Sequence, residues 1–207
     1  MPTSHPNQIN EIVQIAELLT PHRVLDVGIG NGKYGFLFRE YLGNNRGLDK
    51  DQFVIDGIEG YEKYINDIHR HVYNNIHIQD LSEPINIDAT YDLCILIDVI
   101  EHFERARGLE LIEYFSTISE FLLITTPWNI GDPNIQHENP FQKHLYQWVK
   151  KDFRQFSNPR FIFNQDSLIV LIGNDKKKAK FVERKMQHRL FSKIYNYTRR
   201  ALKLKKG

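Results

Sequence analysis

The sequence predicts an α/β protein: a doubly wound, mostly parallel sheet of seven strands with helices on both faces, ending in an antiparallel hairpin. Three observations predict this fold class. Short apolar runs rich in β-branched residues alternate with segments that repeat apolar residues at helical spacing. A glycine-rich turn at 28–32 follows the first of these runs. Two later apolar runs, 160–164 and 167–172, are separated only by two polar residues, which is typical of a hairpin.

Each element follows from its local pattern. The first helix, over 7–19, repeats Ile, Val and Leu at near-helical spacing and ends at Thr20-Pro21. Further helices are predicted over 33–42, 61–71, 105–118 and 144–153. The first five strands are predicted over 23–27, 53–58, 76–79, 91–97 and 121–126. The segment 129–142 has no apolar period and is predicted to be a loop, and a loop of this length is usually functional.

Length and composition favour one globular body. The 207 residues are 41% hydrophobic, which is enough for a substantial core. No run approaches the roughly 18 apolar residues that a membrane span needs. The beginning of the chain lacks a basic region followed by an apolar one, so we expect no secretion signal. The single cysteine, Cys94, lies in an apolar run and has no internal partner, so a cytoplasmic, reducing compartment is predicted.

The net charge of +1 conceals an uneven distribution. Residues 175–207 hold 13 Lys or Arg against two acids, whereas the remainder holds 14 bases against 24 acids. We therefore predict a body over 1–174 and a basic amphipathic tail helix over 175–207. Such a helix suits an anionic membrane surface, which would place the protein at the inner face of the membrane. The alternatives are that the helix binds nucleic-acid phosphates, that it docks on the acidic body of a neighbouring subunit, or that it is a solvated tail without a partner. The oligomeric state stays open.

The glycine turn carries the first chemical signal. Gly28, Gly30 and Gly32 alternate there, which lets the backbone adopt positive φ and lets a ligand approach the main chain. The helix that follows points its N-terminal N–H groups at the turn. Asp26 stands two places before the first glycine, where a carboxylate would repel a pyrophosphate. This pattern disfavours a dehydrogenase and favours a ligand that carries an ammonium or sulfonium group.

The run Val24-Leu25-Asp26-Val27-Gly28-Ile29-Gly30-Asn31-Gly32 resembles motif I, V-L-D-V-G-x-G-x-G, of the class I S-adenosylmethionine-dependent methyltransferases. The predicted order of elements is similar to that family's over about residues 8–173. The resemblance implies S-adenosylmethionine as cofactor, S-adenosylhomocysteine as product, and cofactor contacts from Asp26, Gly28, Gly30 and Gly32.

Three further acidic residues follow strands and are predicted to contact the cofactor. Glu59 closes the second strand, where a carboxylate can accept hydrogen bonds from two vicinal ribose hydroxyls. Asp80 follows the third strand, and the resemblance implies that it contacts the adenine amino group, with Leu81 against the base. Asp98 follows the fourth strand, at the rim of the crevice, and is expected to hold the amino-acid end of the cofactor.

The same region supplies the candidates for catalysis. Asp98, Glu101 and His102 follow the fourth strand, and His137 and His144 come from the later loop region. We predict His144, with His102, as the catalytic base, since imidazole titrates near neutral pH, and we favour a site without metal. The alternative is a divalent metal site of Asp98, Glu101, His102 and His144. It resembles ubiquinone-pathway O-methyltransferases and small-RNA 3′-terminal 2′-O-methyltransferases, which carry E-x-x-E-H here, although the first carboxylate of this chain is an aspartate.

These observations predict a methyltransferase that modifies an oxygen of a small-molecule, glycan or lipid-linked acceptor. Oxygen is preferred because no N-P-P-Y-like signature and no catalytic cysteine occur. One alternative is a metal-assisted RNA 2′-O-methyltransferase, which would make nucleic acid the partner. The other is a non-catalytic cofactor-binding scaffold with the same fold, since fold does not determine function.

Overall fold

The computed structural model describes residues 4–131 and 139–204. The strands are β1 (Arg23–Val27), β2 (Val54–Glu59), β3 (Asn75–Ile78), β4 (Tyr91–Ile97), β5 (Ser119–Pro127), β6 (Arg160–Ile162) and β7 (Ser167–Gly173). They form one seven-stranded sheet in the order β3-β2-β1-β4-β5-β7-β6. Among these strands only β7 runs against the others, because it pairs antiparallel with both β5 and β6. The predicted fold class is confirmed.

Five α-helices accompany the sheet in the described residues. They are α1 (Ile9–Leu19), α2 (Lys33–Phe38), α3 (Asp67–Val72), α4 (Arg105–Thr117) and α5 (Lys176–Leu204). The helix α2 continues into a wider π-helical turn over Arg39–Gly43. Short 3₁₀ turns lie at Pro6–Gln8, Asn44–Arg46, Glu62–Tyr64, Ile100–His102, Pro140–Gln142 and Asp152–Gln155.

The central strands are buried on both faces, so their residues read as nearly continuous apolar runs. Val24 and Leu93 point to the layer that contains α1, α2 and the first turns of α5. Their neighbours Leu25 and Cys94 point to the opposite layer, which contains α4 and Trp148. This alternation follows from the period of two along a strand.

The predicted division of the chain at 174/175 stays a prediction. The helix α5 begins near this division, and its first turns belong to the core.

The predicted helix over 144–153 is wrong. The chain is irregular from 143 to 149, and only Asp152–Gln155 forms a 3₁₀ turn. The N–H groups of Leu145 and Tyr146 donate to the Glu101 carbonyl oxygen, at 2.7 and 3.2 Å, and are therefore unavailable to a helix. Trp148 is fully buried beside α4. These long-range contacts override a local apolar period.

The predicted helix over 61–71 is also shorter than expected. A 3₁₀ turn covers Glu62–Tyr64, and the α-helix begins only at Asp67. Asn66 stops it from starting earlier, because its side chain accepts a hydrogen bond from the Ile68 N–H at 3.0 Å. The His69 side chain completes this capping box by accepting from the Asn66 N–H.

The strand order places a crevice at one edge of the sheet. β1 lies between β2 and β4 and is parallel to both, so the segments that leave these strands emerge side by side. The connection from β1 departs toward β2, whereas β4 continues the sheet on the other side. Ligands of open α/β sheets bind at such a switch point, outside the carboxyl ends of the strands.

Candidate active site

A cavity of about 510 Å³ opens at this switch point. Its volume lies within the usual range for sites that bind small molecules, roughly 300–1,000 Å³. The walls come from the ends of β1, β2 and β4, from the glycine turn, and from residues 139–144. The N-terminal residues Ser4, His5 and Pro6 also line it. The cavity therefore collects most of the residues that the sequence singled out.

The glycine turn has the predicted conformation but does not present a phosphate cradle. Gly28, Gly30 and Gly32 have φ of 74°, 54° and 76°. The Gly28 N–H donates to the Ile58 carbonyl oxygen at 2.9 Å, and the Gly30 N–H donates to Glu59 Oε2 at 2.9 Å. A phosphate-binding turn aims such N–H groups at its ligand. The turn therefore suits an uncharged part of a nucleoside better than a pyrophosphate.

Asp26 is buried at the base of the cavity wall. Tyr73, 47 residues away in the chain, donates its hydroxyl to Asp26 Oδ2 at 2.6 Å. Burial raises the pKa of Asp26 to about 7, the hydrogen bond from Tyr73 opposes that rise, and the nearby charge of Glu59 adds to it. An ionised Asp26 is therefore poorly compensated without a ligand, and a cationic group in the cavity would stabilise it.

Glu59 ends β2 and is almost completely buried. Its Oε2 accepts from the Gly30 N–H, and its Oε1 accepts from the Tyr61 N–H at 2.8 Å. Burial raises the pKa of Glu59, and these backbone N–H groups oppose the rise. An ionised carboxylate has about four acceptor sites, so both oxygens can still accept hydroxyl groups from the cavity side.

Asp80 lies at the edge of the cavity rather than on its wall. Its Oδ1 accepts from the Ser82 N–H at 2.8 Å, which closes a turn after β3. The neighbouring residues Gln79 and Leu81 line the cavity. The adenine contact of Asp80 and the packing of Leu81 on the base both stay predictions.

Asp98 adopts a left-handed backbone conformation, with φ of 54°. Its Oδ1 accepts from Thr125 Oγ1 at 2.8 Å, and its Oδ2 accepts from Gln8 Nε2 at 2.7 Å and from the His5 N–H at 3.3 Å. Burial raises the pKa of Asp98, and these hydrogen bonds oppose the rise. Such a conformation costs a non-glycine residue about 1–3 kcal/mol and is concentrated at functional sites. Asp98 thus ties the N-terminal segment to the rim of the cavity.

Glu101 is the most unusual group of the cavity wall. Its side chain is 0% exposed, and neither carboxylate oxygen has a hydrogen-bond partner among the described residues. Burial raises the pKa of Glu101 well above its usual range, and the charge of Asp98 adds to this. The Glu101 backbone N–H and the Thr126 hydroxyl oppose the rise, but neither reaches the carboxylate at ordinary hydrogen-bond distance and angle. A buried carboxylate without partners is unfavourable when ionised, so it requires either a proton or a cation.

Two imidazoles stand beside this carboxylate. The ring centroids of His102 and His144 are 4.9 Å apart, and one ligand atom from each of Glu101, His102 and His144 lies within 4.8 Å of the others. The Nδ1 of His144 donates to the Ile130 carbonyl oxygen, so its Nε2 holds the lone pair. Metal-binding histidines are commonly oriented by such a second bond.

Three of the four residues of the alternative metal site are therefore together. Asp98 is not part of this group of described residues, and its carboxylate accepts hydrogen bonds from Thr125 and Gln8 instead. His137 lies outside the described residues. His102 and His144 face the cavity as expected of catalytic candidates, and both their role as bases and the metal site stay predictions.

Several contributors to the site were not predicted from the sequence. Tyr73 supports Asp26, and the segment 4–6 covers the cavity. Asn139 and Gln142 both donate side-chain N–H groups to the Tyr64 hydroxyl oxygen, at 3.0 Å each, and these bonds hold both residues at the wall of the cavity. No local pattern signals these contacts, because each joins residues that are far apart in the chain.

Among protein-family models and curated protein sequences, none matches this chain. Solved structures do match its fold. The N-terminal domain of EvdMO1, determined in the presence of S-adenosylhomocysteine and D-fucose, is similar at 12% identity with a TM-score of 0.58, covering 83% of this chain and 84% of that one. The methyltransferase domain of bacterial CtHen1-C is similar at 16% identity with a TM-score of 0.56, covering 81% and 96%.

A third match is magnesium protoporphyrin IX methyltransferase, ChlM, from Synechocystis PCC 6803 with bound S-adenosylmethionine. It is 16% identical with a TM-score of 0.52, and the match covers 80% of this chain and 78% of that one. At such low identity these similarities establish the fold. They confirm that the chain is folded like the class I methyltransferases, as motif I predicted.

Proposed function

We propose that this chain, folded like the class I methyltransferases, is an S-adenosylmethionine-dependent enzyme that methylates a hydroxyl oxygen with the aid of a divalent cation. The cation would be held by Glu101, His102 and His144. The observation that carries the proposal is the buried, unpartnered Glu101 carboxylate beside two imidazoles. It lies on the wall of the same cavity as Asp26 and Glu59.

The charge of the cavity supports the cofactor. Among the residues that the structure describes, four carboxylates line it, those of Asp26, Glu59, Asp98 and Glu101, against one lysine, Lys33. A site with this balance favours a ligand that carries a sulfonium and an ammonium over a polyphosphate. When bound, S-adenosylmethionine supplies the activated methyl group. The chain then positions it: Glu59 toward the ribose hydroxyls and Asp26 toward the amino group. Similar folds solved with the cofactor or its product bound support S-adenosylmethionine as the cofactor.

The donor set supports a first-row transition metal. Two imidazoles and one carboxylate are typical ligands of Mn²⁺, Fe²⁺, Co²⁺ or Zn²⁺, whereas Mg²⁺ prefers oxygen ligands. Three protein ligands leave open positions at the cavity. A cation there would favour the ionised form of a hydroxyl group, as it does for water, so a hydroxyl is the acceptor group that benefits most. This reverses our preference for a metal-free site from the sequence.

The acceptor is proposed to be a small-molecule, glycan or lipid-linked hydroxyl compound. The acidic lining of the cavity argues against an acceptor with several phosphates close to the reacting atom. One similar structure was determined with the sugar D-fucose, which is compatible with a polyhydroxy acceptor. An RNA 3′ end remains the comparison substrate in the test.

The first test is a calorimetric titration with S-adenosylhomocysteine, with NAD as control. Saturable binding of the first and none of the second is expected. Labelled methyl transfer from S-adenosylmethionine is then measured to diols, glycans, quinols and an RNA 3′ end, with a chelator and with added Mn²⁺, Zn²⁺ or Mg²⁺. Transfer to a hydroxyl that stops with chelator and returns with Mn²⁺ or Zn²⁺ supports the proposal. Absent binding contradicts the cofactor, and chelator-resistant transfer contradicts the metal.

A pH dependence of cofactor binding follows from Asp26. Because its pKa in the ligand-free protein is about 7, the carboxylate becomes protonated as the pH falls below that value. A neutral Asp26 no longer attracts the ammonium group, so affinity for S-adenosylhomocysteine is expected to fall by up to about tenfold per pH unit below 7. Calorimetry between pH 6 and 8 measures it, and a constant affinity over this range would contradict the assignment.

The variant Tyr73→Phe sharpens this prediction. It removes the hydrogen bond that lowers the pKa of Asp26, so the midpoint of the affinity profile should move to higher pH. The matched control is Tyr91→Phe, which removes a buried tyrosine hydroxyl that donates to Asp56 Oδ2 at 3.0 Å, away from the cavity. Only the first variant should move the midpoint.

A further inference from the structure

The C-terminal helix α5 has two different ends. It runs unbroken over 29 residues, Lys176–Leu204, and is therefore roughly 43 Å long. In its first turns Ala179, Val182 and Met186 are buried in the core. An ion pair between Arg160 Nη1 and Glu183 Oε2, at 3.5 Å, also ties it to the body. After Met186 none of the helix side chains that the structure describes is buried.

The outward side of α5 carries large aromatic side chains. Phe181, Phe191 and Tyr195 are 46%, 69% and 64% exposed. At about 100° per residue these three positions fall within about 80° of one another, on the side opposite Val182 and Met186. Exposed aromatic side chains that share one face of a helix are more than the scattered apolar residues of an ordinary surface.

The same side is strongly basic. Arg184 and Lys185 are exposed next to these aromatic side chains, and further bases precede and follow them in the sequence. Over 175–207 the sequence has 13 bases against two acids, while the rest of the chain is acidic. The outward face of α5, which carries these aromatic and basic side chains, therefore differs in charge from the surface of the body.

We infer that the outward face of α5 binds an anionic lipid surface, with its aromatic side chains in the headgroup region and its basic side chains against the lipid phosphates and carboxylates. A helix that combines a basic face with exposed Phe residues has the character of an interfacial helix. None of the described helices is both long and apolar enough to cross a bilayer. The inference does not depend on the proposed reaction.

Positive charge and exposed aromatic side chains together favour lipid over the other partners. A nucleic acid would also neutralise the bases, but exposed Phe rings along a helix add little to phosphate contacts. An acidic surface of a second copy could attract the bases but offers no apolar layer for Phe181 and Phe191. A membrane supplies both the negative charge and the apolar layer.

The test uses the full chain and two kinds of vesicle, phosphatidylcholine mixed with phosphatidylserine and phosphatidylcholine alone. Co-sedimentation is measured at low and high ionic strength. Binding is expected only to the anionic vesicles and should weaken with salt. The double variant Arg184→Glu/Lys185→Glu should lose at least about 25-fold in affinity, since each basic side chain near an anionic surface contributes about fivefold. The control Lys151→Glu/Arg154→Glu changes the same charge at exposed positions on the body and should lose less than about threefold.

A second variant tests the aromatic side chains. Phe181→Ala/Phe191→Ala keeps the charge, does not lower the helix propensity, and should lose about tenfold in affinity at both salt concentrations. Circular dichroism and S-adenosylhomocysteine binding establish that each variant is folded. The inference is overturned by absent vesicle binding, by equal losses in the body control, by binding of single-stranded RNA in place of vesicles, or by self-association that the α5 variants abolish.

Discussion

Replacing Glu101 by Gln is expected to lower the rate of methyl transfer at least about 100-fold and to abolish binding of Mn²⁺ or Zn²⁺ at micromolar concentration. The substitution keeps the size of the side chain but removes the negative charge that a cation requires. Substitutions of groups that only orient a metal ligand already cost about 10–100-fold, so loss of a ligand should cost more. Affinity for S-adenosylhomocysteine should stay within about twofold, because the three proposed ligands are separate from Asp26 and Glu59.

The matched control is Asp98→Asn, a carboxylate-to-amide change three residues earlier. Asparagine tolerates the left-handed backbone of this position, so the fold should be retained. Asp98 does not belong to the group of proposed ligands, and its variant should bind the cation as the unchanged protein does. Calorimetric metal titration separates the two. If Glu101→Gln and Asp98→Asn bind the cation equally well, Glu101 is a protonated structural group and the metal proposal fails.

The outcome depends on a contact that the sequence only partly predicted. The spacing of Asp98, Glu101 and His102 indicated a polar cluster after β4, but spacing alone did not show which carboxylate meets the histidines. The left-handed backbone at Asp98 sends its side chain to Thr125 and the N-terminal segment, which leaves Glu101 beside His102. Such a choice is made by the tertiary structure and cannot be read from residue order.

The fold itself was predictable because its signals are local. The apolar runs, the glycine turn and the hairpin each depend on a few neighbouring residues, and they predicted the strands and the class of sheet. The predicted helix over 144–153 does not form because the N–H groups of Leu145 and Tyr146 donate to the Glu101 carbonyl oxygen. The contribution of Tyr73 was not predicted either, because its hydroxyl meets Asp26 across 47 positions of sequence. Local periodicity predicts an element reliably unless a group distant in sequence bonds to the backbone N–H groups that the element needs, and it does not report contacts between distant side chains.

Replacing Glu59 by Ala is expected to weaken binding of S-adenosylhomocysteine at least about 100-fold. A hydrogen bond to a charged group contributes about 1.5–3 kcal/mol, and two such bonds to the ribose hydroxyls would be lost. Glu59→Gln keeps acceptor capacity without the charge, so an intermediate loss of about tenfold is expected. The control is Glu62→Ala, which removes an exposed carboxylate three residues later and should leave the affinity unchanged.

The structure also offers a different explanation for such a loss, and the experiment has to separate the two. Glu59 accepts the N–H groups of Gly30 and Tyr61, so its removal also frees the turn. A ligand analogue that lacks both ribose hydroxyls distinguishes the roles. If Glu59 binds ribose, the analogue should bind the unchanged protein and Glu59→Ala with nearly equal, weak affinity. If Glu59 only holds the turn, the variant should lose the same factor for both ligands. The second result would make Glu59 a structural residue of the turn and would remove the main support for a nucleoside in this cavity.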